Sequence, residues 1–106
     1  MRVDCHVHVF DPERFAYAPD MFYRPSGFEI ATPSLLSHVL DAHDVRHALL
    51  VGPNSGYGLD NRCMLDSLSY GKGGYQGIAV VPNDTGSAEL HELKGLGVIG
   101  IALNVA

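Results

Sequence analysis

Two histidines separated by one residue stand near the start of the chain, in the run Asp4-Cys5-His6-Val7-His8. Side chains two apart on a β-strand project from the same face, so both imidazoles can converge on one point. Imidazoles bind divalent metals and exchange protons near neutral pH, so the pair could hold a metal ion or activate a water molecule. The alternative is that the two histidines lie on a half-exposed strand and have no functional role. We predict His6 and His8 as catalytic and metal-binding residues.

The neighbours of the two histidines have separate expectations. Asp4 shares their face of the strand, so its carboxylate could orient an imidazole by accepting the second N–H; the alternative is a buried, hydrogen-bonded residue at the strand end. Cys5 points the opposite way and is expected in the core.

Further polar side chains follow the predicted second strand, where loops of a parallel barrel gather on the same end as the loop after His8. Asn54, Ser55 and Tyr57 are therefore candidate substrate donors, although Asn, Ser and Gly can also serve turn geometry alone. Tyr23 and Tyr17, in the loop itself, could donate hydroxyls to a ligand or could pack the loop down. Asp60 and Asn61 are better explained as a helix cap.

These candidates need elements that position them, and the sequence predicts strands alternating with helices. The loop from Phe10 to Thr32 is rich in proline and aromatic residues, which prevents a regular element and favours packing over something. Apolar runs indicate strands near residues 3–9, 46–51, 76–81 and 98–104. Helical spacing and capping residues indicate helices from Thr32 to about Asp44, from Asp60 or Asn61 to about Gly71, and from a Ser87 cap to about Gly97.

Strict alternation of this kind is typical of an α/β fold with a parallel sheet covered by helices. An open doubly wound sheet is one alternative, but no Gly-x-Gly-x-x-Gly loop follows the first strand. We predict that residues 1–106 form a single domain made of parallel βα units. Four strands are about half of a TIM-type (β/α)8 barrel, which typically takes about 250 residues.

Composition restricts the partners. The formal net charge is −5, and the 7 basic residues form no cluster, which argues against nucleic acid. No apolar run reaches the roughly 20 residues of a membrane span. The two cysteines lie far apart and no apolar, positively charged leader is evident, so we expect a cytoplasmic location.

Several motifs together resemble the amidohydrolase-related family, and most closely its 2-pyrone-4,6-dicarboxylate lactonase branch. They are Asp4-Cys5-His6-Val7-His8-Val9-Phe10, Pro12-Glu13, Tyr17-Ala18-Pro19, the Tyr23-x-Pro25 pair and Asp60-Asn61-Arg62-x-Met64-Leu65-Asp66. The resemblance runs along nearly the whole chain and is much more specific than His-x-His alone.

The resemblance implies a (βα)8 barrel in which the paired histidines meet further histidines and an aspartate after later strands, which this sequence does not contain. It implies a small-molecule substrate whose ester, lactone, amide or carboxylate carbon is attacked by an activated water, with Zn or Mn in many members and without a metal in the lactonase branch. On this basis Tyr23 matches a tyrosine that binds a substrate carboxylate, and Asn54 and Ser55 match polar substrate contacts.

One departure concerns the fourth strand. The family commonly carries a Gly-x-Arg-Gly-x-Arg-Leu-Asn-like run there, and this chain has Gly97-Val98-Ile99-Gly100-Ile101-Ala102-Leu103-Asn104, without either arginine. A dicarboxylate needs cationic partners, so this departure weakens the pyrone-dicarboxylate assignment.

Three functions remain open on the sequence alone. The first is a hydrolase represented by an incomplete set of ligands, which should be nearly inactive alone and could regain activity by self-association or by pairing with a complementary half-barrel. The second is a non-catalytic fragment or module that binds a small acid or a metal. The third, an open-sheet regulatory domain, predicts that His6 and His8 do not converge.

Overall fold

A computed structural model describes residues 1–103 of the chain. The element order alternates as the sequence predicts: β1 (Val3–Val7), α1 (Pro33–Ala42), β2 (His47–Val51), α2 (Arg62–Ser67), β3 (Tyr75–Val80), α3 (Ser87–Gly95) and β4 (Val98–Ala102). Short 3-10 helices occupy Gly27–Glu29 and Leu68–Gly71. The predicted end of the fourth strand at Asn104 lies outside the described residues.

The strands form one four-stranded parallel sheet in the order β1-β2-β3-β4, which confirms the predicted fold class. Sequential order with a helix after each strand is the arrangement that right-handed βα units produce. Each strand differs from its predicted span by one or two residues at a boundary; β1, for example, ends at Val7 and not at Val9. His8 therefore follows the strand directly.

The core lies between the sheet and the helices. Leu50 is fully buried on β2, and Ala79 is fully buried on β3. They pack with Leu40 of α1 and Met64 of α2 in one apolar cluster. Truncating such a residue to alanine typically costs about 2–5 kcal/mol, so this layer fixes the sheet that carries the site.

The helix starts follow capping chemistry, with one correction. The Thr32 hydroxyl accepts a hydrogen bond from the Leu35 N–H at 3.2 Å, and Pro33 opens α1, as predicted. Ser87, predicted as the cap of the third helix, is its first helical residue. The cap is Gly86, whose N–H donates to the Glu89 carboxylate at 3.3 Å. An acid three residues after the cap can satisfy that donor without a hydroxyl at the cap itself.

Both edge strands pair on one side only and expose apolar side chains. On β4, Ile99 is 58% exposed and Ile101 is also exposed, as is Leu103 just after the strand. At the other edge Cys5 is exposed, so the expectation that it lies in the core is wrong. Strand alternation predicts which face a residue shares, but a buried face also needs a covering element, and β1 is an edge of the described sheet.

No helix within residues 1–103 has the length and apolar character needed to cross a membrane.

Candidate functional site

His6 and His8 lie together at the carboxyl end of β1. Their ring centroids are 5.0 Å apart and the ring planes are nearly perpendicular, at 88°. Both side chains are exposed, so a ligand can reach the ring nitrogens that the protein does not already bind. The period-two spacing thus brings the imidazoles side by side, which is the geometry that the catalytic and metal-binding predictions require. Their roles stay a prediction.

The backbone carbonyl of Val51 holds the His8 ring. The distance from His8 Nδ1 to the Val51 oxygen is 2.7 Å. A carbonyl oxygen can only accept, so Nδ1 carries the proton of this hydrogen bond. In the neutral ring the lone pair is then on Nε2, where it can bind a metal ion or accept a proton from water. Val51 reaches the ring because it is the last residue of β2, which pairs with β1.

The described contact of the Asp4 side chain is with the backbone, which fits the predicted role of a hydrogen-bonded residue on the strand better than that of orienting an imidazole. Its carboxylate accepts a hydrogen bond from the backbone N–H of His6 at 3.1 Å. This contact fixes the backbone between the acid and the first histidine. The described contact that orients an imidazole is the Val51 carbonyl, which sequence reasoning missed because every residue carries a carbonyl and only strand register selects one.

The long loop after His8 closes on itself and docks on the end of β2. The N–H of Phe10 donates to the Ala31 carbonyl at 2.9 Å, which joins the two ends of the loop. Gly56 accepts from the Ala18 N–H and donates to the Tyr23 carbonyl, each at 2.9 Å. Gly56 has a φ of +71°, and a Cβ there would lie 2.9 Å from the Tyr17 ring. Only glycine meets both demands without strain.

The buried side chain of Tyr57 holds this loop in place. Its side chain is 1% exposed, and its ring stacks on Phe10 with centroids 6.1 Å apart. The hydroxyl accepts from the Asp11 N–H at 3.0 Å and donates to the Phe15 carbonyl at 2.9 Å. The expectation that Tyr57 donates to a substrate is therefore wrong, because its single proton is already committed to the loop backbone.

One ion pair and two contacts between an arginine and Phe15 join the outer part of the loop to α2. Arg14 pairs with Asp66 at 2.9 Å, and Arg62 pairs with Asp60 at 2.9 Å. The Phe15 ring lies near both guanidinium groups, with Arg14 5.2 Å and Arg62 5.9 Å from its centroid. The hydrogen bond from Arg62 lowers the pKa of the Asp60 carboxyl below its usual value, so Asp60 stays ionised.

Asn61 has a role that its interpretation as a cap did not foresee. Its side chain makes no capping hydrogen bond. Instead its amide nitrogen donates to the Val80 carbonyl at 2.9 Å, and its amide oxygen accepts from the Val80 N–H at 3.0 Å. The side-chain amide thus continues the pairing of β3 beyond the last residue of β2. It fixes the carboxyl end of β3 beside the candidate site.

The predicted substrate-binding residues are spread along this carboxyl edge. Tyr23 is 46% exposed, and its hydroxyl donates to the Glu29 carboxylate. Asn54 helps to line a cleft of about 300 Å³ with Asp20, Asp60 and Val80 among its walls. Ser55 lies in the turn closed by the hydrogen bond from the Tyr57 N–H to the Ser55 carbonyl at 2.7 Å. His6 and His8 are not among the walls of this cleft, and the substrate roles stay predictions.

As metal donors, the two histidines are an incomplete set. Among the 103 residues that the structure describes, no three His, Cys, Asp or Glu side chains are grouped so that they could hold a metal ion. A catalytic zinc site uses three protein ligands and an open position. The imidazoles fit as two of those ligands, and the others must come from elsewhere.

The buried Tyr57 hydroxyl makes stability depend on alkaline pH. Burial raises its pKa above the ordinary value, so the folded chain keeps a proton that the unfolded chain loses above about pH 10. We expect the free energy of unfolding to be insensitive to this group below that pH and to fall above it. Urea unfolding as a function of pH measures the slope. Burial also raises the pKa values of Tyr17 and Tyr75, so matched Phe variants at these positions measure their contributions to the slope. A Tyr57→Phe variant that keeps the wild-type alkaline slope would contradict the assignment to Tyr57.

Comparison with known proteins shows which families share these features. The amidohydrolase family model matches residues 3–106. A 2-pyrone-4,6-dicarboxylate hydrolase of Comamonas testosteroni is 35% identical over 104 residues, which are 96% of this chain and 32% of that protein.

Solved structures agree on the fold. A probable 2-pyrone-4,6-dicarboxylic acid hydrolase of Acinetobacter baumannii, crystallised with citric acid, superposes with a TM-score of 0.81 at 32% identity and is matched over 98% of this chain and 39% of its own. An Agrobacterium tumefaciens protein at 16% identity superposes with a TM-score of 0.78 over 93% of this chain and 34% of its own, and shows the fold alone. The chain therefore spans between about a third and two fifths of the length of these proteins.

Proposed function

Because the chain belongs to the amidohydrolase family, we propose that it supplies the His6–His8 part of the active site of a hydrolase that attacks a small carbonyl compound with activated water. The observation that carries the proposal is the hydrogen bond from His8 Nδ1 to the Val51 carbonyl. It directs an unprotonated Nε2 outward, beside the His6 ring.

The chemistry follows from that nitrogen. A free Nε2 can take a proton from a water molecule as it attacks a carbonyl carbon, or can ligate a metal ion. Members of the family usually use a divalent metal, and Zn or Mn would be held in part by His6 and His8. When bound, such an ion lowers the pKa of its water and polarises the carbonyl. A metal-independent route remains the alternative within this proposal.

The substrate class is a lactone, ester, amide or carboxylate, as the lactonase-type relatives suggest. We assign substrate contacts to Tyr23, Asn54 and Ser55, which lie at the same edge of the sheet as the histidines. The free thiols Cys5 and Cys63 support a reducing, cytoplasmic setting for the reaction.

The remaining ligands and strands must reach both open edges of the sheet. β1 and β4 each leave one side unpaired, and β4 exposes the apolar side chains Ile99 and Ile101. Further strands of the same polypeptide, a complementary half-barrel or a second copy would cover these edges. The incomplete ligand set within residues 1–103 supports a second candidate for the isolated chain, a module that binds a small acid or a metal without catalysis.

A chimera tests the proposal. This chain would replace the matching 39% of the A. baumannii protein, so that the remaining strands and ligands come from a structure that superposes well. We expect hydrolysis of at least one member of a panel of small lactones and esters. Circular dichroism and a thermal melt establish folding, and the parent protein is the positive control. A folded chimera that hydrolyses nothing in the panel would favour the non-catalytic module.

A further inference from the structure

The Tyr23 hydroxyl is already occupied by an acid of its own chain. It donates to Glu29 Oε2, while Glu29 Oε1 accepts from the Ser26 N–H at 3.2 Å. Glu29 is therefore held at both carboxylate oxygens, at the end of the 3-10 helix Gly27–Glu29. The hydrogen bond from Tyr23 lowers the pKa of Glu29 and raises that of Tyr23, so at neutral pH the pair is one anion and one neutral phenol.

This contact changes what Tyr23 can offer to a ligand. A phenol has one O–H to donate, and once that proton points at Glu29 only the oxygen lone pairs remain. A carboxylate ligand accepts but does not donate, so it gains nothing from Tyr23 in this state. It would also approach the negative charge of Glu29, which opposes binding. An uncharged group that donates an N–H or O–H meets neither obstacle.

Tyr23 belongs to the same edge as the histidines. Its carbonyl accepts from the Gly56 N–H at 2.9 Å, and Gly56 lies in the segment that continues from Val51 at the carboxyl end of β2. The carbonyl of Val51 itself holds His8. The same strand end therefore anchors the imidazole and the loop that carries Tyr23.

The cations of the chain compensate only in part for the acids at this edge. The seven Lys and Arg residues divide into two groups. Four lie before or at the amino ends of strands, which is the opposite edge of a parallel sheet: Arg2, Arg46, Lys72 and Lys94. The other three lie in the loop or on α2. Arg14 is paired with Asp66 and Arg62 with Asp60. Arg24 donates to the Pro19 carbonyl at 2.6 Å, a neutral partner that leaves the charge of its exposed guanidinium uncompensated.

The neighbouring cleft has the same electrostatic character. Asp20 and Asp60 are among the walls that Asn54 shares. Asp60 is neutralised by Arg62, which leaves Asp20 as a further negative charge facing that space. A carboxylate binds well where a guanidinium or ammonium group can pair with it. Within the described residues, Glu29 and Asp20 have no cationic partner at this edge, and Arg24 is the one guanidinium there without an acidic partner, so acids are in surplus.

We propose that the part of the substrate lying against this chain carries no carboxylate, and that Glu29 enforces this specificity by occupying the Tyr23 hydroxyl. The inference rests on the proposed function, because it assigns the chemical class of ligand for the same site. It separates this chain from the relatives whose names specify a dicarboxylate substrate.

Ligand titration of the chain itself tests the inference. The two probes are 2-pyrone-4,6-dicarboxylate and its uncharged dicarboxamide, which have the same ring and differ in charge and in N–H donors. Tyr23 ring resonances report binding by NMR. The variant Glu29→Gln keeps one acceptor oxygen for Ser26 and turns its NH2 toward Tyr23, which releases the phenolic proton. Glu13→Gln removes one negative charge from the same exposed loop and is the matched control.

The wild-type chain should bind the dicarboxamide at least about tenfold more tightly than the dicarboxylate, a ratio equal to about 1.4 kcal/mol. Glu29→Gln should reduce this preference by most of that factor, and Glu13→Gln should leave it unchanged. In a Tyr23→Phe background the Glu29→Gln effect should disappear, because the two residues act through one contact.

Equal binding of both probes by the wild-type chain would overturn the inference. So would an unchanged preference in Glu29→Gln, or a failure of either probe to shift the Tyr23 resonances. These results leave hydrolysis by the chimera unaffected, since that assay depends on His6 and His8. A chimera that prefers the dicarboxylate would support the proposed function and reject the specificity assigned here.

Discussion

Replacing His8 with alanine in the chimera should reduce kcat/KM by about 10²- to 10⁴-fold, the range of a lost general acid–base group. The reason is that the Val51 carbonyl fixes Nδ1 and leaves Nε2 as the reactive nitrogen. Alanine removes that lone pair whether it takes a proton from water or binds a metal. Steady-state kinetics on the substrate found in the lactone and ester panel measure the loss.

The matched control is His91→Ala, which removes a histidine from the exposed surface of α3. It should leave kcat/KM within about twofold, because surface changes away from special features are usually near neutral. A His8→Ala chimera that keeps near-parental kcat/KM while folding normally would refute the role assigned to this imidazole. Since His8 is exposed, its loss should change stability little, so the kinetic effect is separable from misfolding.

Replacing Tyr57 with phenylalanine should lower the free energy of unfolding by about 1–3 kcal/mol, the cost of leaving a buried polar partner unsatisfied. The ring stays, so its packing against Phe10 is kept. What is lost is the hydroxyl that accepts from the Asp11 N–H and donates to the Phe15 carbonyl. Urea unfolding measures the change in stability, and hydrogen exchange at the Asp11 amide reports the freed loop.

Tyr70→Phe provides the control, since Tyr70 is partly exposed and its hydroxyl accepts only a long hydrogen bond of 3.4 Å from Arg14. It should change stability by less than about 0.5 kcal/mol. If Tyr57→Phe changed the free energy of unfolding as little as Tyr70→Phe and the Asp11 amide stayed protected from exchange, the buried phenol would not be what holds the loop. The Arg14–Asp66 pair would then be the remaining contact.

Periodicity predicts the elements of this chain well because it is a local property. The alternation of apolar and polar residues around His6 and His8 is enough to place both imidazoles on one face, and the rings do lie side by side. The prolines of the loop likewise predict an irregular segment, but its aromatic side chains are packed only in part: Phe10 is buried, whereas Phe22 and Phe28 are fully exposed. The catalytic and substrate-binding roles go beyond what these local features establish and remain predictions.

Long-range pairings are what local patterns could not supply. Tyr57 was interpreted as a substrate donor because it follows a strand, but its partners Asp11 and Phe15 lie more than 40 positions away. Asn61 does occupy the predicted cap position before α2, but its side chain binds the Val80 backbone 19 positions on and not the helix. Backbone groups are identical in every residue, so only the folded register shows which of them a side chain meets.

The partner of His8 has a consequence for how this chain tolerates mutation. Because the acceptor is a main-chain oxygen, any amino acid at position 51 keeps it, and the ring retains its tautomer through side-chain exchange there. The next residue, Gly52, is more sensitive to substitution, because a Cβ there would lie 3.0 Å from Val80 Cγ2 and 3.2 Å from Asn61 Oδ1. The position of the imidazole thus depends on the path of the polypeptide at Gly52, where an added methyl group would require Val80 or Asn61 to move by a few tenths of an ångström.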